Sequence, residues 1–304
     1  MLPSRYGREV HGSARRGEAF LTDTRERGNA VVTVSWHCHT CFHGMPPAVV
    51  AGGVAVVIDV IRASTTITTA LSHDAEAVYP VETVDEARAL SDTFETVPLL
   101  GGERGGVRID GFNLGNSPRE YTPAEVRHRR IVFTTTNGTA AIAACREAAE
   151  ILIGGLVNRS AVATAARTMA AGHETAVHLV CAGVERQTAD EDTIGAGGIL
   201  DAAASRWPGD RFDEAAVAAL RRFREACGGH QDAAAVGSLT TTLADTPGGR
   251  RIVALGMRED LAVVAALDSL QIVPVFERTS GRLLPLPDRA VMDPTQLLRL
   301  HSRP

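Results

Sequence analysis

The run Val54-Ala55-Val56-Val57-Ile58 is apolar at five successive positions. A strand with one wet face would alternate polar and apolar residues. An unbroken run therefore predicts a strand buried on both faces, as in a parallel sheet covered by helices on either side. The chain around it repeats that logic. Residues 62–72 read as a helix, 75–80 as a strand, and 84–94 as an amphipathic helix opened by Thr83, with Glu86 at the capping-box position. Strands follow at 97–100, 131–133, 151–153 and 177–181, with helices at 138–149 and 159–171 between them. The alternation predicts an α/β protein, a three-layer α/β/α arrangement with a mostly parallel sheet. A short strand is also expected at 30–34. The C-terminal third is helix-rich, with helices at 192–206, 213–227, 232–243 and 258–267, then two edge strands at 271–276 and 283–286. No repeat and no Pro/Gly/Ser linker divides the chain. Residues 30–304 are expected to form a single α/β domain behind a polar, Arg-rich, disordered extension at 1–29.

Composition narrows the chemistry. The 31 basic residues are all arginine, so no mechanism that needs a lysine applies. A Walker loop is excluded on that ground. No Asp-x-Asp-x-Thr motif, no Cys followed six positions later by Arg, and no Arg-His-Gly occurs, which removes three other phosphate chemistries. A formal net charge of −5 implies no basic face for nucleic acid or a membrane surface. No apolar run approaches the roughly 18 residues of a membrane span, and the N-terminus lacks the apolar core of a secretory signal. Five scattered cysteines suit a reducing cytoplasm. The dense Cys/His stretch Trp36–His43 matches no standard zinc spacing and reads as a polar loop.

Three glycine-rich, charge-bearing stretches stand at or near strand ends, where ligands bind in such folds: Gly101–Gly106, Asn113–Pro118 and Thr134–Thr139. The first carries Glu103, suited to metal or water, and Arg104, suited to a phosphate, between glycine pairs whose N–H groups can form an anion nest. The second offers Asn116 and Ser117. The third places Asn137, Gly138 and Thr139 at a helix start, where backbone donors favour phosphate. The first central strand ends at Asp59, followed by Arg62, Ser64 and Thr65; an aspartate there suits a hard cation. The acidic triplet Asp190-Glu191-Asp192 opens a later helix. Together these residues predict a pocket for a small, multiply negative phosphate ester, with a metal ion to screen it.

In their order and text, the segments Val57–Thr66, Gly101–Gly106, Gly111–Pro118 and Thr134–Thr139 resemble the magnesium-dependent 2-phosphosulfolactate phosphatases. The stretches Ile153-Gly154, Val157–Ala161, Cys181–Gly183 and Glu191-Asp192 extend the likeness across residues 45–276. The segments 184–188 and 246–249 depart from it. The resemblance implies hydrolysis of 2-phospho-3-sulfolactate with Mg2+ as cofactor, as in coenzyme M biosynthesis, on an α/β/α fold. The residues themselves lead us to expect Asp59, Glu103 and Asp192 as metal ligands and Asp59, Glu103, Arg104 and Glu191 as catalytic residues, with either metal-bound water or Asp59 as the nucleophile. Substrate contacts would come from Arg62, Ser64, Thr65, Asn116, Ser117, Asn137, Gly138, Thr139 and Asn158. The residues leave open another phosphorylated hydroxy acid as substrate, a non-catalytic phospho-ligand sensor, and self-association.

Overall fold

Four runs that read as doubly buried strands are strands whose side chains are buried at every position or all but one: Val54–Ile58, Arg130–Thr134, Glu150–Ile153 and Val177–Cys181. The structure, a computed structural model, describes residues 32–230 and 233–286; the expectation for residues 1–29 lies outside them. In chain order the strands are β1 (Ser35–His39), β2 (Val54–Ile58), β3 (Ala77–Pro80), β4 (Leu99–Arg104), β5 (Val107–Arg108), β6 (Arg130–Thr134), β7 (Glu150–Ile153), β8 (Val177–Cys181), β9 (Arg211–Phe212), β10 (Pro274–Glu277) and β11 (Arg282–Pro285). The helices are α1 (Ala63–Ser72), α2 (Val84–Ser91), α3 (Pro123–Val126), α4 (Gly138–Ala144), α5 (Arg159–Gly172), α6 (Asp190–Arg206), α7 (Glu214–Ala226), α8 (Ala233–Asp245), α9 (Pro247–Ala254) and α10 (Asp260–Val264).

The strands join one sheet in the order β5-β4-β6-β3-β11-β10-β7-β2-β8-β1-β9. Two parallel blocks, β4-β6-β3 and β7-β2-β8-β1-β9, flank the antiparallel hairpin β10–β11. The hairpin is held to β7 and to β3 by one register pair each, Val275–Leu152 and Leu283–Val78. The strands expected at the sheet edge are therefore central. Edge and centre look alike in a short apolar run, because what differs is the partner, supplied here by chain some 120 to 200 residues away.

Side-chain alternation divides β2 between two cores. Val54, Val56 and Ile58 face α5, α6, α7 and α8, while Ala55 and Val57 face α1 and α4. The helix α2 covers the outer face of β6 through Ala87 against Val132. This is a three-layer α/β/α fold with a mostly parallel mixed sheet. Both α1 and α4 touch strands of each parallel block, so the sheet curls around them. That curl brings the carboxyl ends of β2, β4, β6 and β8 to one place, despite three antiparallel junctions between the blocks.

Local signals act as expected in several elements. The Thr83 hydroxyl accepts from the Glu86 N–H while the Glu86 carboxylate accepts from the Thr83 N–H, completing the capping box of α2. The helix α6 approaches the end of β2 at Gly195, where a Cβ would lie 2.1 Å from Val60 Cγ2. Two expectations are corrected here and one element is added. The strand near the start of the described residues is Ser35–His39 rather than 30–34, so the Cys/His stretch begins as strand. Gly101–Arg104 continues β4 rather than forming a loop, and Gly102 (φ +136°) presses so close to β6 that a Cβ would lie 1.9 Å from the Thr134 carbonyl oxygen. The helix α9 is an addition that no expectation covered: Thr246 caps it by accepting from the Gly249 N–H at 3.1 Å. No helix of the described residues is long and apolar enough to cross a membrane.

Candidate active site

A cavity of about 480 Å3 opens where the ends of β2, β4 and β8 meet the first residues of α6 and α9. Its floor is acidic: Asp59, Glu103, Glu191 and Asp192 all line it, with Arg62, Asn116 and Asn137. Seven of the residues expected to act therefore come together.

Each carboxylate is held differently. Asp59 follows β2, and its Oδ1 accepts from the Ala63 N–H at 3.3 Å, at the start of α1. A Cβ on Gly138, the first residue of α4, would stand 2.8 Å from Asp59 Oδ2, so the carboxylate lies between two helix starts. Burial, with Glu103 as the next contributor, pushes Asp59 up from 3.8 to about 7. Glu103 Oε2 accepts from the Gly106 N–H at 2.6 Å; its Oε1 accepts from the Thr136 N–H at 2.9 Å and the Thr136 hydroxyl at 3.0 Å. The nest expected to receive an anion is thus filled by the protein's own glutamate. Gly105 and Gly106, both at positive φ, form the two-residue loop joining β4 to β5.

Asp192 ties two strand ends together. Its Oδ1 accepts from the Val60 N–H and its Oδ2 from the Gly183 N–H, both at 2.9 Å. Burial, followed by the charges of Asp59 and Glu191, raises its carboxyl well above the ordinary range. Glu191 is buried too, and burial raises it. Its Oε2 has no hydrogen-bond partner among the described residues, and neither has Asn116 Oδ1. Two buried acceptors lining the cavity without donors leave a cost of roughly 1–3 kcal/mol each, which a cation or a donating ligand would remove.

Arg62 lines the cavity but is braced from behind. Its Nη1 donates to Asp260 Oδ2 at 2.6 Å, an ion pair with both side chains 1% exposed, and its Nη2 donates to the Gly106 carbonyl at 2.8 Å. The Ile61–Arg62 peptide preceding it is cis.

Six expected residues point elsewhere. Arg104 neighbours Glu103 in a strand, so it faces the opposite side and donates to the Glu103 and Glu82 carbonyls and to Thr134 Oγ1. Ser64 Oγ accepts from the Asp59 N–H at 2.8 Å, and Thr65 Oγ1 donates to the Val60 carbonyl at 3.1 Å. Ser117 donates to Asp260 Oδ1 at 2.7 Å, completing the brace behind Arg62. Thr139 bonds back to the Thr135 carbonyl. Asn158 accepts from the Gly155 N–H and donates to the Ile153 and Ile272 carbonyls, joining β7 to the chain before the hairpin. Gly138 acts through its missing side chain alone.

The cavity also holds residues that the sequence alone does not single out: His43, Thr136, Arg186, Gly248 and Arg251 among them. A Cβ on Gly248 would stand 2.0 Å from Glu191 Oε1, so only glycine fits there while that carboxylate keeps its place. The available signals are the segments 184–188 and 246–249, which depart from the family pattern and hold Arg186 and Gly248.

Among the described residues, no three His, Cys, Asp or Glu side chains stand close enough to share one ion. Asp59, Glu103 and Asp192 thus form no ready-made cage, and the Cys/His stretch forms none either. The oxygens without partners offer a sparser site. Magnesium keeps several waters and takes one or two protein carboxylates together with substrate phosphate, which this arrangement suits.

The family model for 2-phosphosulpholactate phosphatase matches residues 43–279. Probable 2-phosphosulfolactate phosphatases are similar over most of the chain. That of Symbiobacterium thermophilum is 40% identical over 79% of this chain and 97% of its own length; that of Synechococcus sp. (strain JA-3-3Ab) is 39% identical over 79% and 94%. With the acidic cavity at the strand ends, these similarities establish that the chain is a phosphatase of the 2-phosphosulpholactate phosphatase family.

Proposed function

We propose that the chain hydrolyses 2-phospho-3-sulfolactate to 3-sulfolactate and inorganic phosphate with Mg2+, as a cytoplasmic step of coenzyme M biosynthesis. The observation that carries this reading is the pair of unpartnered buried acceptors, Glu191 Oε2 and Asn116 Oδ1, beside an aspartate held near 7. Such a wall rejects an anionic ester unless a cation lies between them. Asp59 and Asn116 Oδ1 would hold the ion, which supplies charge stabilisation for the phosphoryl oxygens. Glu103 and Asp192, whose oxygens accept backbone N–H groups, fix the frame rather than bind.

The chain's own residues supply the remainder. Glu191, a buried carboxylate of raised pKa with one open oxygen, accepts the proton of the attacking water. The water oxygen forms the new bond to phosphorus as the ester P–O bond breaks, and the leaving alkoxide takes up the proton that Glu191 received, which restores the carboxylate. Asn137 donates toward the phosphoryl group at the start of α4.

A phosphate-release panel of 2-phosphosulfolactate, 2-phospholactate and 3-phosphoglycerate, with magnesium or with EDTA, tests the reading. Release should be fastest from 2-phosphosulfolactate and should cease with EDTA. Equal rates on all three, or release untouched by EDTA, would contradict it.

A further inference from the structure

The cavity is electrically divided, and the division has two ends. The carboxylates form the floor. Among the described residues, the arginines that line the walls are Arg62, Arg186 and Arg251. Arg62 is neutralised by buried Asp260. Arg186 and Arg251 have no carboxylate of the described residues within ion-pair distance, although Glu185 also lines the rim.

Both arginines are held by backbone that fixes where they stand. Arg251 lies on α9, and its Nε donates to the Gly105 carbonyl at 3.2 Å, which sets the guanidinium over the glycine loop that Glu103 pins. Arg186 lies in the turn after β8, closed by Val184 N–H to the Gln187 carbonyl at 3.0 Å and Gln187 N–H to the Val184 carbonyl at 2.9 Å. Glu185 and Arg186 both take positive φ there, at 50° and 65°. The Arg186 charge reaches His43, whose pKa is lowered by its partial burial and then by that guanidinium.

We infer that Arg186 and Arg251 form a second anion subsite at the rim, which holds the sulfonate of the substrate while its phosphate meets the floor. The inference rests on the reading that the substrate is a phosphosulfolactate. A sulfonate set against the floor would face Glu191 and Asp192 at close range. Set at the rim, it meets two cations whose fork-shaped donors match a planar or tetrahedral oxyanion. Both arginines are exposed, so their pull weakens as salt is added.

The test compares two substrates, 2-phosphosulfolactate and 2-phospholactate, which differ only in the sulfonate. The readout is the ratio of their kcat/KM values, sulfonate ester over plain ester. This ratio is taken within one preparation, so a partly folded variant does not distort it. The wild type should favour the sulfonate substrate. Each of R186A and R251A should lower the ratio by roughly 10-fold and the double variant by about 100-fold, mainly by raising KM for the sulfonate ester. R251K, which keeps the charge and loses the fork, should retain part of the preference. A ratio within about twofold of wild type in the double variant, with a wild type that does favour the sulfonate ester, would overturn the subsite. A wild type that hydrolyses neither substrate, or both alike, would instead remove the phosphosulfolactate reading on which the subsite stands.

Discussion

Two aspartates some 150 positions apart in the chain, Asp210 buried and Asp59 partly buried, show how differently a carboxylate can be kept from water. Asp210 has every oxygen engaged. Its Oδ1 accepts from the Val34 N–H and Arg167 Nη2, and its Oδ2 accepts from Trp36 Nε1 and Arg167 Nε, all between 2.9 and 3.1 Å. Asp59 accepts one long bond at 3.3 Å, and the charges of Glu103 and Glu191 around it are offset only in part by Arg62. Glu191, beside it, has an oxygen with no partner among the described residues. A fold gains nothing from the second arrangement. Buried charge without pairing persists where chemistry needs it, whereas fully paired charge holds structure together.

The contrast gives opposite expectations for the two residues. Asp210→Ala removes the one acceptor shared by the Val34 N–H, Trp36 and Arg167 and should destabilise the fold by about 3–5 kcal/mol in urea denaturation. Asp59→Asn should do the reverse. The folded value of Asp59 lies above 3.8, so its contribution to stability is whole below about pH 4 and lost as pH rises through about 7. In EDTA the variant should match wild type below about pH 4 and exceed it at about pH 8, by at most about 4 kcal/mol. Equal stability at the higher pH would mean that Asp59 is no more costly to ionise than an exposed aspartate.

Smaller changes sharpen the same picture. Gly248→Ala must displace Glu191, and a shift of that kind should lower kcat by roughly 10- to 100-fold with little effect on melting. Thr83→Ala, far from the cavity, should cost about 1 kcal/mol of stability through loss of the α2 cap and leave kcat/KM unchanged.

Where the sequence is readable, the reason is local. Doubly buried strands announce themselves as apolar runs, and the Thr83 cap as a pair of residues three apart. The site is half legible, because strand ends and glycines mark where a ligand can reach the backbone. What stays hidden depends on distant partners. Asn158 looks like a ligand contact until Ile272 is seen to accept from it, and Ser117 until Asp260 does. Arg104 is a different case. Once β4 is known to run through it, simple alternation places Glu103 in the cavity and Arg104 outside. The glycines on either side carry no side-chain pattern, which is why that strand reads as a loop.

On the proposed function, Asp59 is kept largely from water at the fold's expense for the sake of turnover. The most direct measurement is steady-state phosphate release from 2-phosphosulfolactate by Asp59→Asn in magnesium, with thermal unfolding of the same sample in EDTA near pH 8. Turnover should fall by about 1,000-fold or more while the melting temperature holds or rises. A folded variant that keeps turnover within about 10-fold of wild type would contradict it.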